Sequence, residues 1–584
     1  MSSNVSGRYV DPEVTAITLS DDQRLDLSRG SVLIVTGANN SGKTTFLNEF
    51  YAQLGRTQNG EIPAKIVTRV DLDWNVNPDE KIAYIKRNYV HKIRNGTNSY
   101  LLPRKLLSDY KLQLSSKLEN SFGDMISAFI KFDDAIGRVG ESVFKEKTDA
   151  VYSESQDSPH PIEEIVRSPE DFRVLEESFR EIFFQEITLD DFGRQVGYRL
   201  GEVDDKGASR TGPVDSELLS NVRSLPAIQD QGLGMRATLG ILIAILGGKQ
   251  EILLVDEPEA FLHPPQAKKL ASVLTRLAVE RKKTLLVATH DRNYINGILD
   301  VDHGQVSFLR LNRVEHDLDI NIVDMGLIES AKAGSLVRYS PLLDTLFHKL
   351  TIVVEGESDA IFFSAAFSHM LEDSPSELQI SPSDILILPC GGKAAQSIVL
   401  DLVRKMGSKA AVICDFDIFS DDGQFRSIWE AAGNNWSGVN EQYRSFSNFV
   451  DENSLAPESA ELILSLKEVV DSISADSGIH NSQIKKQVSD VISFPSPWKA
   501  YKSHGVEAVV GEFPYEGIDD LLGLCLEKGI AINPYGELES FARFKQGFEC
   551  KKNSNWPKFA IEKDLHKLNE VQQFLSRVLC HLSK

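Results

Sequence analysis

The stretch Gly37-Ala38-Asn39-Asn40-Ser41-Gly42-Lys43-Thr44 constrains this chain more than any other. It stands between a short apolar run, 31–36, and a helix-forming segment, 45–50. In a strand–loop–helix context a G-x-x-x-x-G-K-[ST] loop turns backbone N–H groups and a helix N-terminus toward phosphate. Lys43 is expected to reach the β- and γ-phosphates of ATP, and the Thr44 hydroxyl to ligate Mg²⁺. Asn39, Asn40, Ser41, Gly42 and Thr45 complete the expected nucleotide loop, with Gly37 opening it.

Two further apolar runs, 251–256 and 283–290, flank a segment of helical spacing from Pro264 to Arg281. This is βαβ grammar, and α/β folds place ligands at the carboxyl ends of such strands. Asp256 is expected to hold the Mg²⁺. Glu257 is expected to act as general base toward the attacking water, and His290 to sense the γ-phosphate. Between 104 and 200, apolar residues such as Phe122, Ile126, Phe129, Ile130 and Phe132 recur at helical spacing, which predicts a helical insertion. The run 153–159 is expected to be a loop within it.

A second α/β segment opens at 350–355 and continues through 385–388 and 410–415. Glu355 ends the first of these strands, Gly356 permits a tight turn, and Asp359 follows four residues after Glu355. Asp415 and Asp417 follow the third strand, and residues two apart in extended chain face one side. Two such carboxylates are expected to converge on one cation, and hard oxygen donors select Mg²⁺ or Mn²⁺. Residues 420–500 are polar and mostly of helical pattern, a second insertion. The strand-like 529–534 precedes Gly536-Glu537-Leu538-Glu539, again two glutamates two apart.

The run Leu254-Val255-Asp256-Glu257-Pro258-Glu259-Ala260-Phe261-Leu262-His263-Pro264 resembles the Walker B and D-loop of ABC-type ATPases, in the branch shared by SMC/Rad50-like proteins and the OLD (overcoming lysogenization defect) family. Gln231-Gly232-Leu233-Gly234-Met235-Arg236 lies where an ABC signature belongs and resembles the OLD-type variant. The resemblance implies that Gly232 and Gly234 cap ATP bound by a second subunit, and hence a homodimer or higher oligomer through the ATPase domain. Glu355 to Asp359, followed by Asp415 and Asp417, resembles a TOPRIM domain, and Glu537 and Glu539 resemble the further acidic motif of the OLD group. By that resemblance Glu355, Asp359, Asp415, Asp417, Glu537 and Glu539 hold metal, with Glu355, Asp415 and Asp417 catalytic. A late lysine is implied at the scissile phosphate. Lys558 is taken for that role, with Lys545, Lys551 and Lys552 as competitors. Together with Arg543 they form the expected DNA-contacting patch.

The expected architecture is α/β. Residues 1–103 and 216–345 form an ABC-type P-loop ATPase domain, interrupted at 104–215 by a helical insertion expected to serve dimerisation. Residues 346–584 form a TOPRIM, Rossmann-like nuclease domain whose helical insertion lies at about 420–500. The resemblance implies an ATP-regulated, Mg²⁺- or Mn²⁺-dependent DNA endonuclease of the kind found in Gabija and retron anti-phage systems. The implied defence partner is a reverse transcriptase with its DNA product, or a helicase-like protein. The alternatives are an SMC/Rad50-like clamp, disfavoured because the insertion lacks heptads long enough for a coiled-coil arm and because it leaves the carboxylates after 350 unemployed, and a topoisomerase or primase, disfavoured because the sequence shows neither a tyrosine-bearing cleavage domain nor a primase zinc motif.

With 584 residues the chain exceeds one ordinary core. Its longest apolar stretches are too short to cross a bilayer, and no basic–apolar leader is expected. Five scattered cysteines without a C-x-x-C pair suit a reducing cytosol and argue against structural zinc. The net charge of −22 opposes nonspecific DNA binding by a lone chain, so basic surface is expected from a partner or an oligomer.

Overall fold

The computed structural model describes residues 13–54, 64–73, 161–192, 195–203, 216–248, 250–301, 305–314, 317–324, 326–327, 341–373, 380–452, 459–472, 485, 488–489, 498–508, 517–545 and 555–582, with short strand segments between 90 and 146. The chain divides into two compact units, Met1–Glu329 and Ser330–Lys584.

The first unit is organised by a six-stranded sheet. Its strands run, edge to edge, Asp317–Val323, Val306–Val314, Val32–Gly37, Thr284–Ala288, Ile252–Asp256 and Ile130–Asp133. All neighbours are parallel except the first pair, a hairpin. The central strands read as continuous β-branched and leucine runs because both faces are covered. One face receives Phe46, Leu47 and Phe50 of the helix Lys43–Leu54, which pack with Leu33, Val35, Leu254, Leu286, Leu309 and Leu311. A three-stranded antiparallel sheet, Arg24–Asp26, Glu13–Leu19 and Val67–Asp73, closes over the same core.

The stretch expected to be a helical insertion differs from that reading. Ile130–Asp133 is a strand that pairs in parallel with Ile252–Asp256 as the edge of the main sheet. Phe144–Glu146, Gln195–Leu200 and Ile187–Asp190 form a small antiparallel sheet. The described helices there are Pro161–Arg167 and Pro169–Phe183. A short apolar run fits strand and helix equally until a partner strand decides it. Most of 104–160, including the expected loop at 153–159, lies outside the described residues.

The second unit carries a four-stranded parallel sheet in the order Ile385–Pro389, Leu350–Val354, Lys409–Cys414, Ile530–Ile532. The helix Glu357–Asp373 and the last helix, Asn569–Leu582, cover one face, bringing Phe362, Phe363, Phe367, Phe574 and Leu575 against Leu350, Ile352, Ala411 and Ile413. Between 422 and 508 the described elements are helical: Asp422–Ala431, Asn440–Glu452, Ser459–Ser472 and Trp498–His504, with short 3₁₀ turns. Phe416, Phe419, Phe425, Tyr443, Phe446 and Tyr501 pack, mostly edge-on or tilted, into an aromatic cluster that joins several of them to the third strand's end. Cys390, Cys414, Cys525 and Cys580 are free thiols, and Cys550 lies outside the described residues. No helix among the described residues is long and apolar enough to cross a membrane.

Candidate nucleotide and metal sites

The strand Val32–Gly37 delivers the glycine-rich loop at its carboxyl end, and the helix begins at Lys43. Asn40 sits at φ +62°, a left-handed conformation that Asn tolerates. The buried Lys43 ammonium donates to the carbonyls of Gly37 at 2.9 Å and Ala38 at 3.0 Å. Burial lowers its pKa, and the charges of Glu257, Asp256 and Glu259 oppose that shift. Thr44 Oγ1 donates to Asp256 Oδ2 at 2.7 Å, so the two residues expected to share Mg²⁺ meet across the sheet. Asn39 and Asn40 are exposed at the loop's tip, Ser41 is buried, and Thr45 is half-buried.

Glu257, just beyond the strand Ile252–Asp256, is held at φ +49°, with its N–H donating to Ala288 O at 2.8 Å. A non-glycine residue in that region stores backbone strain of the kind found at functional sites. Its Oε1 lies 2.9 Å from His290 Nδ1, and that contact raises the His290 pKa above 6.5. Sequence reasoning missed Glu259, which is buried beneath this pair. Glu259 Oε1 accepts from Thr289 Oγ1 at 2.6 Å, and burial pushes its pKa up to about 7. Thr289 Oγ1 in turn accepts from the Asp291 N–H at 3.1 Å. Glu259 thereby fixes the strand end that presents His290. The signal was an acidic residue set among apolar neighbours directly after Asp256-Glu257-Pro258.

Gly232 caps the helix Leu233–Gly247. Gly234, in its first turn, touches the turn at Phe261: a Cβ there would lie 2.5 Å from the Phe261 carbonyl oxygen. Gly234 thus lies against the turn at Phe261–Leu262 that follows the strand Ile252–Asp256 of its own chain.

In the second unit the carboxylates gather at the carboxyl ends of parallel strands. Glu355 follows Leu350–Val354, Asp415 follows Lys409–Cys414, and Glu537 follows Ile530–Ile532 by a short turn. Asp359 lies in the first turn of Glu357–Asp373, and its Oδ2 accepts the Gly356 N–H at 3.0 Å. Burial raises Asp359 to about 6, with the charges of Glu355 and Glu539 adding to the rise. Burial also raises Glu355, where Asp417 and Glu539 add to it. Asp415 is raised most clearly, by burial and then by Asp359 and Asp417.

Neither two-residue spacing lies in extended chain. Asp415 caps a 3₁₀ helix, Phe416–Ser420, and Asp417 is inside it. Glu537 caps another, Leu538–Phe544, with a capping box to Ser540. A turn of three residues rotates side chains two apart away from each other. The expected same-side convergence of Asp415 with Asp417, and of Glu537 with Glu539, is corrected accordingly.

Asp417 instead faces two lysines that sequence reasoning did not single out. Lys393 Nζ donates to Asp417 Oδ1, and Lys502 Nζ donates to Asp417 Oδ2 at 2.9 Å. Lys393 also lies 4.0 Å from Glu355 Oε2, and Lys502 lies 3.8 Å from Glu537 Oε2. Burial acts to raise Asp417, but the two lysine hydrogen bonds together outweigh it and hold it below the usual carboxylate range.

Six carboxylates share this region with two ammonium groups, a surplus of hard anionic oxygen that fits Mg²⁺ or Mn²⁺. Among the described residues no three His, Cys, Asp or Glu side chains already converge on one metal-holding point. Of the expected phosphate-contacting cations, Lys558 is exposed on the helix Trp556–Glu562. Arg543 donates to the carbonyls of Ser503 at 3.0 Å and His504 at 3.2 Å, and Lys545 donates to Lys563 O. Arg543 is thus a brace for the Lys502-bearing helix. Lys551 and Lys552 lie outside the described residues.

Comparison with known proteins places two families on the chain. Residues 118–295 match the family described as AAA domain, putative AbiEii toxin, Type IV TA system. Residues 346–417 match the family described as overcoming lysogenization defect protein-like, TOPRIM domain. A protein named OLD nuclease from Thermus scotoductus (strain ATCC 700910 / SA-01) is 26% identical over 204 residues, covering 33% of this chain and 36% of that protein. The match therefore spans about a third of that relative's length. Among solved structures, an SMC head bound to the C-terminal winged-helix domain of ScpA is 14% identical with a TM-score of 0.32, over 54% of this chain and 99% of that one. An SMC head domain from Thermotoga maritima is 12% identical with a TM-score of 0.26, over 54% and 98%.

Proposed function

We propose that this chain, whose P-loop ATPase domain is followed by an OLD-like TOPRIM domain, is an ATP-binding, metal-dependent DNA endonuclease of the OLD kind whose cleavage is regulated by the ATPase domain. The observation that carries the proposal is the half-buried acidic cluster at the carboxyl ends of one parallel sheet, where Asp415 feels the charges of Asp359, Asp417 and Glu355, and Asp359 that of Glu355. Protons or compensating cations relieve such a cluster. Divalent ions held there by Glu355, Asp359, Asp415, Asp417, Glu537 and Glu539 would polarise a water and neutralise charge on the departing oxygen. Lys558 approaches the scissile phosphate in this reading.

The ATP side rests on the Thr44–Asp256 contact and the Glu257–His290 pair. Glu257 orients and deprotonates the attacking water, and His290 reports on the γ-phosphate. The glycines at 232 and 234 cap ATP in a second copy of the chain, giving a dimer through the ATPase domain. Because the two sites belong to separate units, any coupling between them is conformational. A role as an effector of bacterial anti-phage defence, working with a reverse transcriptase and its DNA product or with a helicase-like protein, draws its support from the family resemblance alone.

The test is plasmid cleavage with Mg²⁺ or Mn²⁺, with and without ATP, comparing wild type, Asp415→Ala and Lys43→Ala. Cleavage by wild type that is lost in Asp415→Ala supports the nuclease. Cleavage that Asp415→Ala retains refutes the metal site, and a Lys43→Ala protein that cleaves like wild type across an ATP titration refutes the regulation.

A further inference from the structure

Lys502 comes from the helical stretch that the motif reading left without a role. The segment that carries it is braced on the acidic loop of the last strand. The Glu537 N–H donates to Lys502 O at 2.8 Å, and the Val506 N–H donates to Pro534 O at 2.8 Å. Arg543 grips the next two carbonyls, those of Ser503 and His504. Gly505 lies so close to Pro534 that a Cβ on it would stand 2.1 Å from the Pro534 oxygen. The ammonium is therefore delivered by a fixed backbone and is not a surface charge that has strayed inward. Lys393 arrives from the opposite side, at the start of the helix Lys393–Lys405 after the turn at Gly391 and Gly392. Each oxygen of Asp417 receives one of them.

We propose that Lys393 and Lys502 are the resident countercations of the carboxylate cluster, holding Asp417 in the metal-free protein and yielding it to a divalent ion. This rests on the metal-site reading above and adds an exchange of cations to it. Like charges that share acceptors compete, so the ammonium groups oppose metal binding while they stabilise the empty cluster. The sign of that opposition separates the proposal from a purely structural role. A structural lysine, once removed, would loosen the site and weaken metal binding. A countercation, once removed, would strengthen it.

The experiment measures Mn²⁺ binding to the full-length protein by electron paramagnetic resonance of the free ion, without DNA or nucleotide, and follows thermal unfolding in EDTA and in Mn²⁺. Wild type, Asp415→Ala, Lys502→Gln, Lys393→Gln and Lys502→Arg are compared, and binding lost in Asp415→Ala defines the site. Lys502→Gln and Lys393→Gln are expected to bind at that site at least about tenfold tighter than wild type, because a unit positive charge close to the ion is gone. Lys502→Arg, which keeps the charge, should stay near wild type. In EDTA the glutamine variants should melt below wild type, and Mn²⁺ should close the gap. Equal or weaker Mn²⁺ binding in both glutamine variants, or a melting deficit that Mn²⁺ leaves in place, would overturn the proposal while leaving the metal site standing. Absence of any Asp415-dependent Mn²⁺ binding in wild type would instead overturn the metal-site reading, and this inference with it.

Discussion

Glu259→Gln should make the protein more stable at alkaline pH than at acidic pH, relative to wild type. Glu259 is almost wholly buried, and the Thr289 hydroxyl donates to its Oε1 at 2.6 Å. Burial carries its pKa from 4.5 to about 7. Between those values the folded chain keeps a proton that the unfolded chain has released, so wild-type stability falls as pH rises through this window and levels off above it. At ~1.4 kcal/mol per pH unit, the window corresponds to roughly 3 kcal/mol, of which roughly 2–3 kcal/mol falls between pH 5 and 8. Glutamine offers Thr289 the same carbonyl acceptor and carries no titrating proton. The variant's advantage over wild type should therefore grow by about that amount from pH 5 to pH 8. Urea unfolding of both proteins at the two pH values, followed by circular dichroism on whichever unit's transition the substitution moves, measures it as a double difference. A difference that stays within about 0.5 kcal/mol across the two pH values would refute the reasoning. It would mean that the Thr289 hydrogen bond stabilises the ionised carboxylate enough to cancel its burial. A protonated Glu259, 4.0 Å from His290 Nδ1, would also leave Glu257 as the imidazolium's main counter-charge.

Further outcomes follow from other contacts. Glu257→Gln should lower the His290 pKa, since the Glu257 contact is the largest cause of its rise; the stabilisation that contact gives is complete below about 6.5 and lost as pH rises through the folded value, and a proton NMR titration assigned with His290→Asn reads the shift. Gly505→Ala should push the Lys502-bearing segment off Pro534 and lower the second unit's melting temperature in thermal unfolding, because the collision is with backbone. Trp429→Ala, which empties a fully buried site and removes the Nε1 bond to Asn435 O at 2.9 Å, should cost roughly 3–5 kcal/mol in the second unit's unfolding and leave ATP binding to the first unit unchanged by isothermal titration.

The parts of this molecule that were legible in its sequence are those whose geometry is local. A strand, a glycine-rich loop and a helix follow one another between Val32 and Leu54, so the expected nucleotide loop could be read without knowing its neighbours. Asp256, Glu355 and Asp415 each stand where an apolar run stops, and a parallel sheet brings such positions to one edge. Legibility failed where a distant segment decides the outcome. Ile130–Asp133 is a strand because Ile252–Asp256 pairs with it; its own apolar spacing suits a helix. Asp417 was placed by a period of two that holds only in extended chain, and the 3₁₀ turn at Phe416–Ser420 removes that premise.

The missed lysines have the same origin with a larger consequence. A carboxylate at a strand end announces itself, whereas nothing around Lys502 distinguishes it from a solvated surface charge until Pro534, Glu537 and Arg543 hold its backbone in place. Sequence reading is thus biased toward one sign: it finds the acids of a buried cluster and overlooks the cations that make the cluster tolerable. The net charge of −22 points to positive charge from outside the chain. For the acidic cluster itself, part of that charge is already inside, on Asp417. The cluster's own anions are thus balanced in part from within the chain.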